Sequence, residues 1–319
     1  MRLFQDAEYK FIEQRRKAYV GSGIAILVGI AAMVWNVVSI GSWQNYGVDF
    51  TGGSLVQVRF EQPTTVGELR GVLSRSGTEI TRFGEEGSGE FVIRAPLEEG
   101  TSITEVADEI QQQISSGLPG RTFVVERTEL VGAKVGGELL QKAALAVLFS
   151  FALTLIYLAI RFEFRFGLAA VIATAHDIIL TLGFLAAFRL EIALPTVAAI
   201  LTILGYSLND TIIVFDRIRE NLSMKGARKR DPIELVNQSI NETLPRTVLT
   251  SGTTLVVLFA LLALGGTMLR DFTIVLILGI LIGTYSSIFV ASPALIEIQK
   301  RWGLGRGGEP KKRPEPATV

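Results

Sequence analysis

Two acidic side chains lie inside stretches of the sequence that are otherwise apolar. Asp177 follows His176 in the middle of the stretch 166–188, and Asp210 lies within the stretch 192–216. An ionisable group surrounded by hydrocarbon is energetically expensive and usually marks the path of an ion or a proton. A buried carboxylate that gains or loses a proton changes the local charge and favours one helix arrangement over another. We therefore interpret both carboxylates as ion-pathway residues.

The first carboxylate has polar neighbours on one predicted helical face. Thr174, Asp177 and Thr181 are spaced i, i+3 and i+7, so a helix places them on the same side. A polar side chain at such a position can also be a packing contact that bonds across to a neighbouring helix. Both interpretations stay open for His176, whereas a carboxylate at this depth favours the ion pathway.

The second carboxylate lies near a predicted helix boundary. Ser207 and Asp210 are i, i+3 neighbours, so we expect the hydroxyl to reach the carboxyl group. Asp216 and Arg217 begin the polar boundary, which puts Asp210 about 9 Å inside it by the helical rise. Long side chains can extend from such a depth to water, but aspartate is too short to do so well. The position therefore favours a functional role.

A third polar feature precedes the fifth apolar stretch. Pro245 and Arg246 are predicted to open this helix, and Thr250, Thr253 and Thr254 continue from the arginine along one face. An arginine at the start of a membrane helix can serve only as an anchor. Alternatively, the stripe extends the ion pathway inward. Both interpretations stay open.

Composition excludes several classes of chemistry. The chain has no cysteine and one histidine, which excludes disulfides, thiolate nucleophiles and multi-histidine metal sites. The sequence contains no phosphate-binding loop, nucleophile elbow or metal-ligand cluster. We therefore predict no enzyme activity, no metal site and no cofactor apart from a coupling ion, for which carboxylates suit H⁺ and Na⁺ alike. The formal net charge is zero, so we expect no nucleic-acid partner.

Six stretches are apolar and long enough to cross a bilayer as helices, which takes roughly 20 residues each. They cover about 18–40, 140–160, 166–188, 192–216, 247–265 and 272–298. Charged residues make up only 19% of the chain, against about a quarter in soluble domains. In the last stretch, Gly279 and Gly283 form a GxxxG pattern that permits close helix packing. The sequence thus predicts an α-helical polytopic protein surrounded by membrane lipids.

Lysine and arginine are distributed unevenly over the connections between these stretches. With six spans, one side collects nearly all of them, and the opposite short connections offer only Arg189 and Arg270. Basic residues concentrate on the cytoplasmic side, so both termini are predicted to be cytoplasmic. The predicted cytoplasmic basic residues are Arg2, Lys10, Arg15, Arg16, Lys17, Arg161, Arg165, Arg217, Arg219, Lys225, Arg228, Lys229, Arg230, Lys300, Arg301, Arg306, Lys311, Lys312 and Arg313.

The resulting plan divides the chain into five parts. They are a cytoplasmic N-terminus (1–17), transmembrane helix 1 (18–40), an extracytoplasmic domain (41–139), transmembrane helices 2–6 (140–298, with a cytoplasmic loop at 217–245) and a disordered cytoplasmic tail (299–319). The tail is rich in glycine, proline and charge, which is typical of disorder.

The segment 41–139 is long enough to fold as a small α+β domain. Alternating and helical spacings predict strands at Ser54–Phe60, Thr78–Phe83, Glu90–Arg94 and Thr122–Leu130, and helices at Thr65–Arg75 and Thr104–Ile114. A turn-rich GEEGSG segment separates the second and third strands. The order βαββαβ is that of a ferredoxin-like split βαβ unit.

A glycine-rich segment directly follows the first span. It reads Gly47-Val48-Asp49-Phe50-Thr51-Gly52-Gly53 and is similar to the signature shared by the SecD/SecF family of bacterial protein export. Independently of that resemblance, Gly52 and Gly53 permit positive φ where the chain turns. Asp49 suits a turn-capping role.

Two further segments resemble the same family. The first is 205–221, which includes Asn209, Asp210 and Thr211, and the second is 241–254, which includes Arg246. The pair His176-Asp177 in the third span also fits. The segments occur in order at the expected places on the six-span plan, and the resemblance covers roughly residues 1–300.

The resemblance implies a SecF-type half of a transporter of the resistance-nodulation-division (RND) superfamily, located in the bacterial inner membrane. It implies pairing with SecD into a twelve-helix assembly that acts with the SecYEG channel on a translocating polypeptide, with YajC as a further candidate partner. The proton-motive force, or sodium in some relatives, would assist export after the ATP-driven step. The ion-path positions of the family map onto Asp210 and Arg246, and we extend this role to Asp177, His176 and Ser207.

Two other functions stay open on the residues alone. One is half of an RND-type transporter of lipids or small molecules, although such proteins normally carry twelve spans in one chain. The other is a membrane scaffold in which the buried charges only hold two subunits together.

Overall fold

A computed structural model of the chain describes residues 8–73, 78–83, 89–95, 103–224, 230–265 and 269–302. Helix α1 (Arg15–Ile40) follows a short 3₁₀ turn, and a short strand β1 (Asn45–Tyr46) and one-turn helix α2 (Val48–Thr51) come next. The chain then forms the sheet domain: β2 (Gly53–Phe60), α3 (Val66–Val72), β3 (Glu79–Phe83), β4 (Glu90–Ala95), α4 (Ile103–Gly117) and β5 (Phe123–Val131).

The rest of the described chain is almost entirely helical. It comprises α5 (Ala133–Arg161), α6 (Phe164–Ala187), a short strand β6 (Glu191–Ile192), α7 (Leu194–Ser223), α8 (Pro232–Leu264), α9 (Arg270–Ser286), a π-helical segment (Ser287–Ala291) and α10 (Ser292–Trp302). In the described part of the chain, six helical segments are long and apolar enough to cross a membrane, in agreement with the sequence. They are α1, α5, α6, α7, α8 and the continuous unit formed by α9, the π segment and α10.

The sheet domain has the predicted order of elements. Its four strands lie in the order β3-β4-β2-β5, and every neighbouring pair is antiparallel. One face of the sheet packs against α3 and α4, because Val106, Ile110 and Ile114 recur at helical spacing and are buried against strand residues such as Val58 and Phe91. The predicted GEEGSG turn falls on residues 84–88, outside the described residues, apart from Gly89.

A capping box starts α3. The Thr65 hydroxyl accepts from the backbone N–H of Glu68, while the Glu68 carboxylate accepts from the backbone N–H of Thr65 at 2.8 Å. The bonds from Thr65, followed by the guanidinium of Arg121, lower the pKa of the Glu68 carboxyl. Local polar contacts therefore fix the start of α3, while Leu69 of the same helix is buried in the apolar core.

Small residues bring α9 against α7, as the GxxxG pattern predicts. A Cβ atom on Gly283 would lie 2.9 Å from the Cβ of Ser207, and one on Gly279 would collide with Ile203. Both glycines are buried. The close approach is what allows short hydroxyl side chains on α9 to reach residues of α7 and its neighbours.

A second close approach joins α1 to α6. A Cβ on Gly29 would lie 2.8 Å from the Cα of Gly183. Gly29→Ala is therefore expected to lower the free energy of unfolding by about 1–3 kcal/mol, because the helices must separate to admit the methyl group. The measurement is thermal or denaturant unfolding in detergent. Gly23→Ala on the same helix is the control, since that site is open, and an equal effect at both positions would contradict the packing account.

The structure corrects the predicted start of the fifth span. Helix α8 begins at Pro232, with Asp231 accepting from the N–H of Ile233 at 3.1 Å, so Pro245 lies inside the helix rather than at its start. An aspartate followed by proline is a common helix start. Since α7 also continues to Ser223, the two helices leave only 224–231 of the predicted loop 217–245 between them. The predicted tail from residue 303 onward lies outside the described residues, and 299–302 belong to α10.

Candidate functional site

Asp177 is the centre of a polar junction between three helices. Its side chain is 1% exposed, and its Oδ2 accepts hydrogen bonds from Ser207 of α7 and, at 2.7 Å, from Ser286 of α9. Oδ1 lies 2.8 Å from Nδ1 of His176. When the carboxylate is ionised it can only accept, so the imidazole then donates this bond. Three polar side chains thus converge on one buried carboxyl group.

The junction continues through His176 to α1. Its Nε2 lies 3.0 Å from the hydroxyl of Ser22, which in turn is 3.2 Å from the hydroxyl of Tyr285. Tyr285 donates to the carbonyl of Ala18 at 3.1 Å. His176 thus bonds across to another helix, as the packing interpretation predicts, and its role in an ion pathway stays a prediction.

Asp210 lies in a second polar cluster, between α7, α8 and α9. The side chain is 1% exposed, and Oδ2 lies 3.4 Å from the hydroxyl of Ser251 and 3.5 Å from that of Thr284. These two hydroxyls are 2.8 Å from each other. Both distances to the carboxylate exceed the 2.5–3.0 Å typical of a hydroxyl hydrogen bond. Oδ1 of Asp210 is buried and has no hydrogen-bond partner among the described residues.

The two carboxylates therefore differ in how far they are satisfied. Asp177 has short bonds on both oxygens, whereas Asp210 has two long contacts on one oxygen and none on the other. A satisfied buried charge fixes its surroundings, while an under-satisfied one is costly and responds to a proton or cation. Within the described ranges, no three histidine, aspartate or glutamate side chains gather as a metal centre would need.

The predicted bond between Ser207 and Asp210 is wrong. Ser207 donates instead to Asp177, because positions three apart on a helix point about 60° apart, which directs Ser207 toward α6 and Asp210 toward α8 and α9. Ser207 thus belongs to the Asp177 junction, although it is adjacent in sequence to the second cluster.

The polar stripe on α8 faces outward, not into the bundle. Arg246 and Thr253 are exposed, and the hydroxyls of Thr250, Thr253 and Thr254 donate to carbonyls of their own helix. The buried polar face of α8 carries Thr247 and Ser251. In the described part of the chain, Arg246 is exposed and forms no ion pair with Asp210.

The glycine-rich segment links the first span to the start of α7. Gly52 and Gly53 have φ of 76° and 132°, which confirms the predicted need for glycine. The sequence predicts that Asp49 caps a turn. In the structure Asp49 caps the start of helix α7, because its Oδ2 accepts from the N–H of Leu194 at 2.9 Å. Phe50 is buried among apolar residues of α6, α7 and α9.

The other motif residues of α7 divide between two faces. Thr211 is buried, at 2% exposure, next to Asp210. Asn209 is exposed and shares its face with Thr202 and Gly205, which are also exposed. This exposed face of α7 therefore carries small and polar residues.

Sequence reasoning missed four hydroxyl-bearing partners of the two carboxylates and His176, which are Ser22, Ser251, Thr284 and Ser286. It also missed Tyr285, which bonds to Ser22 and stacks on the ring of His176. Serine and threonine in membrane helices commonly bond their own backbone, so a single sequence does not distinguish those that bond across helices. For the residues on α9, namely Thr284, Tyr285 and Ser286, the sequence did contain one indication of such contacts, which is that they directly follow the GxxxG glycines.

Comparisons with known proteins agree with this architecture. A family described as "Protein export membrane protein SecD/SecF, C-terminal" matches residues 113–301, and the "SecD/SecF GG Motif" matches residues 45–64. A protein translocase subunit SecF from Gemmatimonas aurantiaca is 43% identical over 311 residues, which cover 95% of this chain and 90% of that protein. The corresponding subunit from Vibrio alginolyticus is 41% identical over 281 residues, covering 87% and 88% of the two chains.

A solved structure has the same fold. The crystal structure of SecDF, a translocon-associated membrane protein from Thermus thermophilus, aligns with a TM-score of 0.78 and 38% identity over 94% of this chain. This chain spans 40% of that SecDF chain. The relatives favour protein export over the lipid or small-molecule transport left open by the residues alone. On the strength of the two motif matches and the near full-length relatives, the chain belongs to the SecD/SecF family, among the SecF subunits of the protein translocase.

Proposed function

We propose that this subunit uses the proton-motive force, together with SecD, to assist protein export through the SecYEG channel after the ATP-driven step. The observation that carries the proposal is the under-satisfied, buried carboxylate of Asp210 among three membrane helices. We assign Arg246 an electrostatic role at this site, because it lies on α8 five residues before Ser251, whose hydroxyl faces Asp210. Binding and release of a proton at Asp210 changes the balance between two helix arrangements.

The Asp177 junction has a different role in this proposal. Because its carboxylate is already held by His176, Ser207 and Ser286, it positions α6, α7 and α9 around the ion site rather than carrying the ion. This narrows the ion path expected from the sequence to Asp210 and Arg246.

The exposed polar residues of α7 and α8 support pairing with SecD. Asn209 and Arg246 are exposed on helices of membrane-spanning length, and an uncovered amide or guanidinium is unfavourable beside hydrocarbon. Small and polar faces are typical of contacts between membrane helices. We assign this face to SecD, so that the second subunit completes the surroundings of Arg246.

The remaining placements follow from the charges and the domain. The basic residues put both termini and the connection 224–231 in the cytoplasm and the sheet domain outside the bacterial inner membrane. The βαββαβ order and the strand order β3-β4-β2-β5 support a ferredoxin-like extracytoplasmic domain. There it can contact the emerging polypeptide or the SecD domain.

The test is export into vesicles reconstituted with this subunit, SecD and SecYEG. A proton gradient should increase export beyond the ATP-driven level, and a protonophore should remove the increase. Arg246→Ala should reduce this gradient-dependent part about tenfold and lower the amount of SecD that copurifies, because the arginine serves both the ion site and the contact face.

Arg301→Ala is the matched control, since it removes another exposed arginine proposed to lie on the cytoplasmic side. Gradient-dependent export that survives the protonophore but not a sodium ionophore would assign Na⁺ as the coupling ion. Export that responds to neither gradient would contradict the proposal and favour the alternative in which the protein is a membrane scaffold.

A further inference from the structure

Arg94 joins the sheet domain to the membrane helices. It lies near the end of β4, and its guanidinium forms an ion pair with Glu191, which precedes α7 by three residues. The two side chains are largely buried, at 23% and 14% exposure. A partly buried arginine–carboxylate pair holds its geometry better than one on an open surface.

Glu191 is itself fixed to the segment that follows the first span. The strands β1 and β6 pair in parallel, with Asn45 opposite Glu191, and the N–H of Gly47 donates to the carbonyl of Ile192 at 2.9 Å. Two residues on, Asp49 caps the first turn of α7 through Leu194. The start of α7 is thus held by backbone pairing, by a cap and by the ion pair.

Gly47 leaves room for this arrangement. Its φ of −72° is accessible to any residue, so backbone freedom is not the reason for glycine here. A Cβ at this position would lie 3.0 Å from Cδ of Glu191 and closer still to Oε1. A side chain at position 47 would therefore displace the carboxylate from Arg94.

The helix that starts beside this ion pair is α7, and it carries Asp210 about 24 Å further along its axis by the helical rise.

We propose that Arg94 is a positioning residue that holds the sheet domain to the start of α7 as a rigid link, so that rearrangement around Asp210 moves the domain. This inference rests on the proposed function. In this proposal the contact stays closed throughout the cycle, and the backbone pairing and the Asp49 cap keep Glu191 on the same body as α7.

The test uses the reconstituted complex and separates gradient-dependent from ATP-driven export. Arg94→Gln and Glu191→Gln should each lower the gradient-dependent part about fivefold or more, with ATP-driven export and copurification of SecD unchanged. Gly47→Ala should do the same by displacing Glu191. Arg59→Gln is the matched control, because Arg59 pairs with Glu126 inside the sheet domain, and it should have no effect.

The chain lacks cysteine, so thiols can be placed at positions 94 and 191 without other changes. The Arg94→Cys/Glu191→Cys variant should lose gradient-dependent export, a short bifunctional methanethiosulfonate crosslinker should restore it, and reductant should remove it again. Inhibition by the crosslink would overturn the inference, because the contact would then have to open.

Unaltered gradient-dependent export in Arg94→Gln would overturn the inference alone. Absence of a gradient-dependent part in the unaltered protein would instead overturn the proposed function together with the inference. The two failures are therefore distinguishable in one set of vesicles.

Discussion

Vesicles that carry Asp210→Asn are expected to lose gradient-driven export while the helical bundle stays intact. Asparagine keeps the size of the side chain and its contacts with Ser251 and Thr284, but it can neither bind a proton nor balance a cation. One elementary charge that moves through 100 mV supplies about 2.3 kcal/mol. This corresponds to a factor of roughly 50 in an equilibrium constant, and we expect the gradient-dependent part to fall by about that factor.

The matched control for this variant is Asp216→Asn on the same helix. Asp216 is 42% exposed and pairs with Arg161 at 2.9 Å, so its removal should cost at most about 1 kcal/mol of stability and leave export unchanged. The measurement is export with and without a protonophore. Undiminished gradient-dependent export in Asp210→Asn would reject the assigned role of Asp210.

The expected effect of Asp177→Asn is the opposite of that of Asp210→Asn, because this variant should lose mainly stability rather than gradient-driven export. Hydrogen bonds to a charged group contribute about 1.5–3 kcal/mol each, and the amide presents an NH₂ group to donors that need an acceptor. We expect the free energy of unfolding to fall by about 3 kcal/mol or more. Unfolding in detergent measures this directly.

Ser286→Ala and Ser207→Ala should each give part of this loss, because each removes one donor to Asp177. Asp210→Asn should leave stability unchanged or raise it, since its nearest donors lie 3.4 and 3.5 Å away. If Asp177→Asn instead kept its stability and lost gradient-driven export, Asp177 would belong to the ion path, as the sequence suggested.

The sequence predicted best which segments and carboxylates lie inside the membrane and which positions need the backbone freedom of glycine. Apolar runs of about 20 residues predicted six spans, and carboxylates inside them stood out because charge is rare there. Gly52 and Gly53 were predicted to need positive φ, and both have it. The GxxxG glycines predicted a close helix contact, which the structure places between α9 and α7.

Partners and helix faces were harder to predict. Ser286 reaches Asp177 across 109 positions of sequence, and no local pattern encodes such a contact. The sequence leaves open whether the stripe of α8 faces inward, because hydroxyl side chains recur on both faces of the helix; between residues 245 and 254, Thr247 and Ser251 are on the buried side. Pro245 was taken for a helix start because proline in a helix interior is normally disfavoured.

The exposed Asn209 and Arg246 have a consequence for how cells must produce this subunit. A copy synthesised without a mate would leave an amide and a guanidinium uncovered, and quality-control proteases degrade chains that stay incompletely assembled. If SecD covers this face as proposed, a shortage of SecD would lower the steady-state abundance of this subunit.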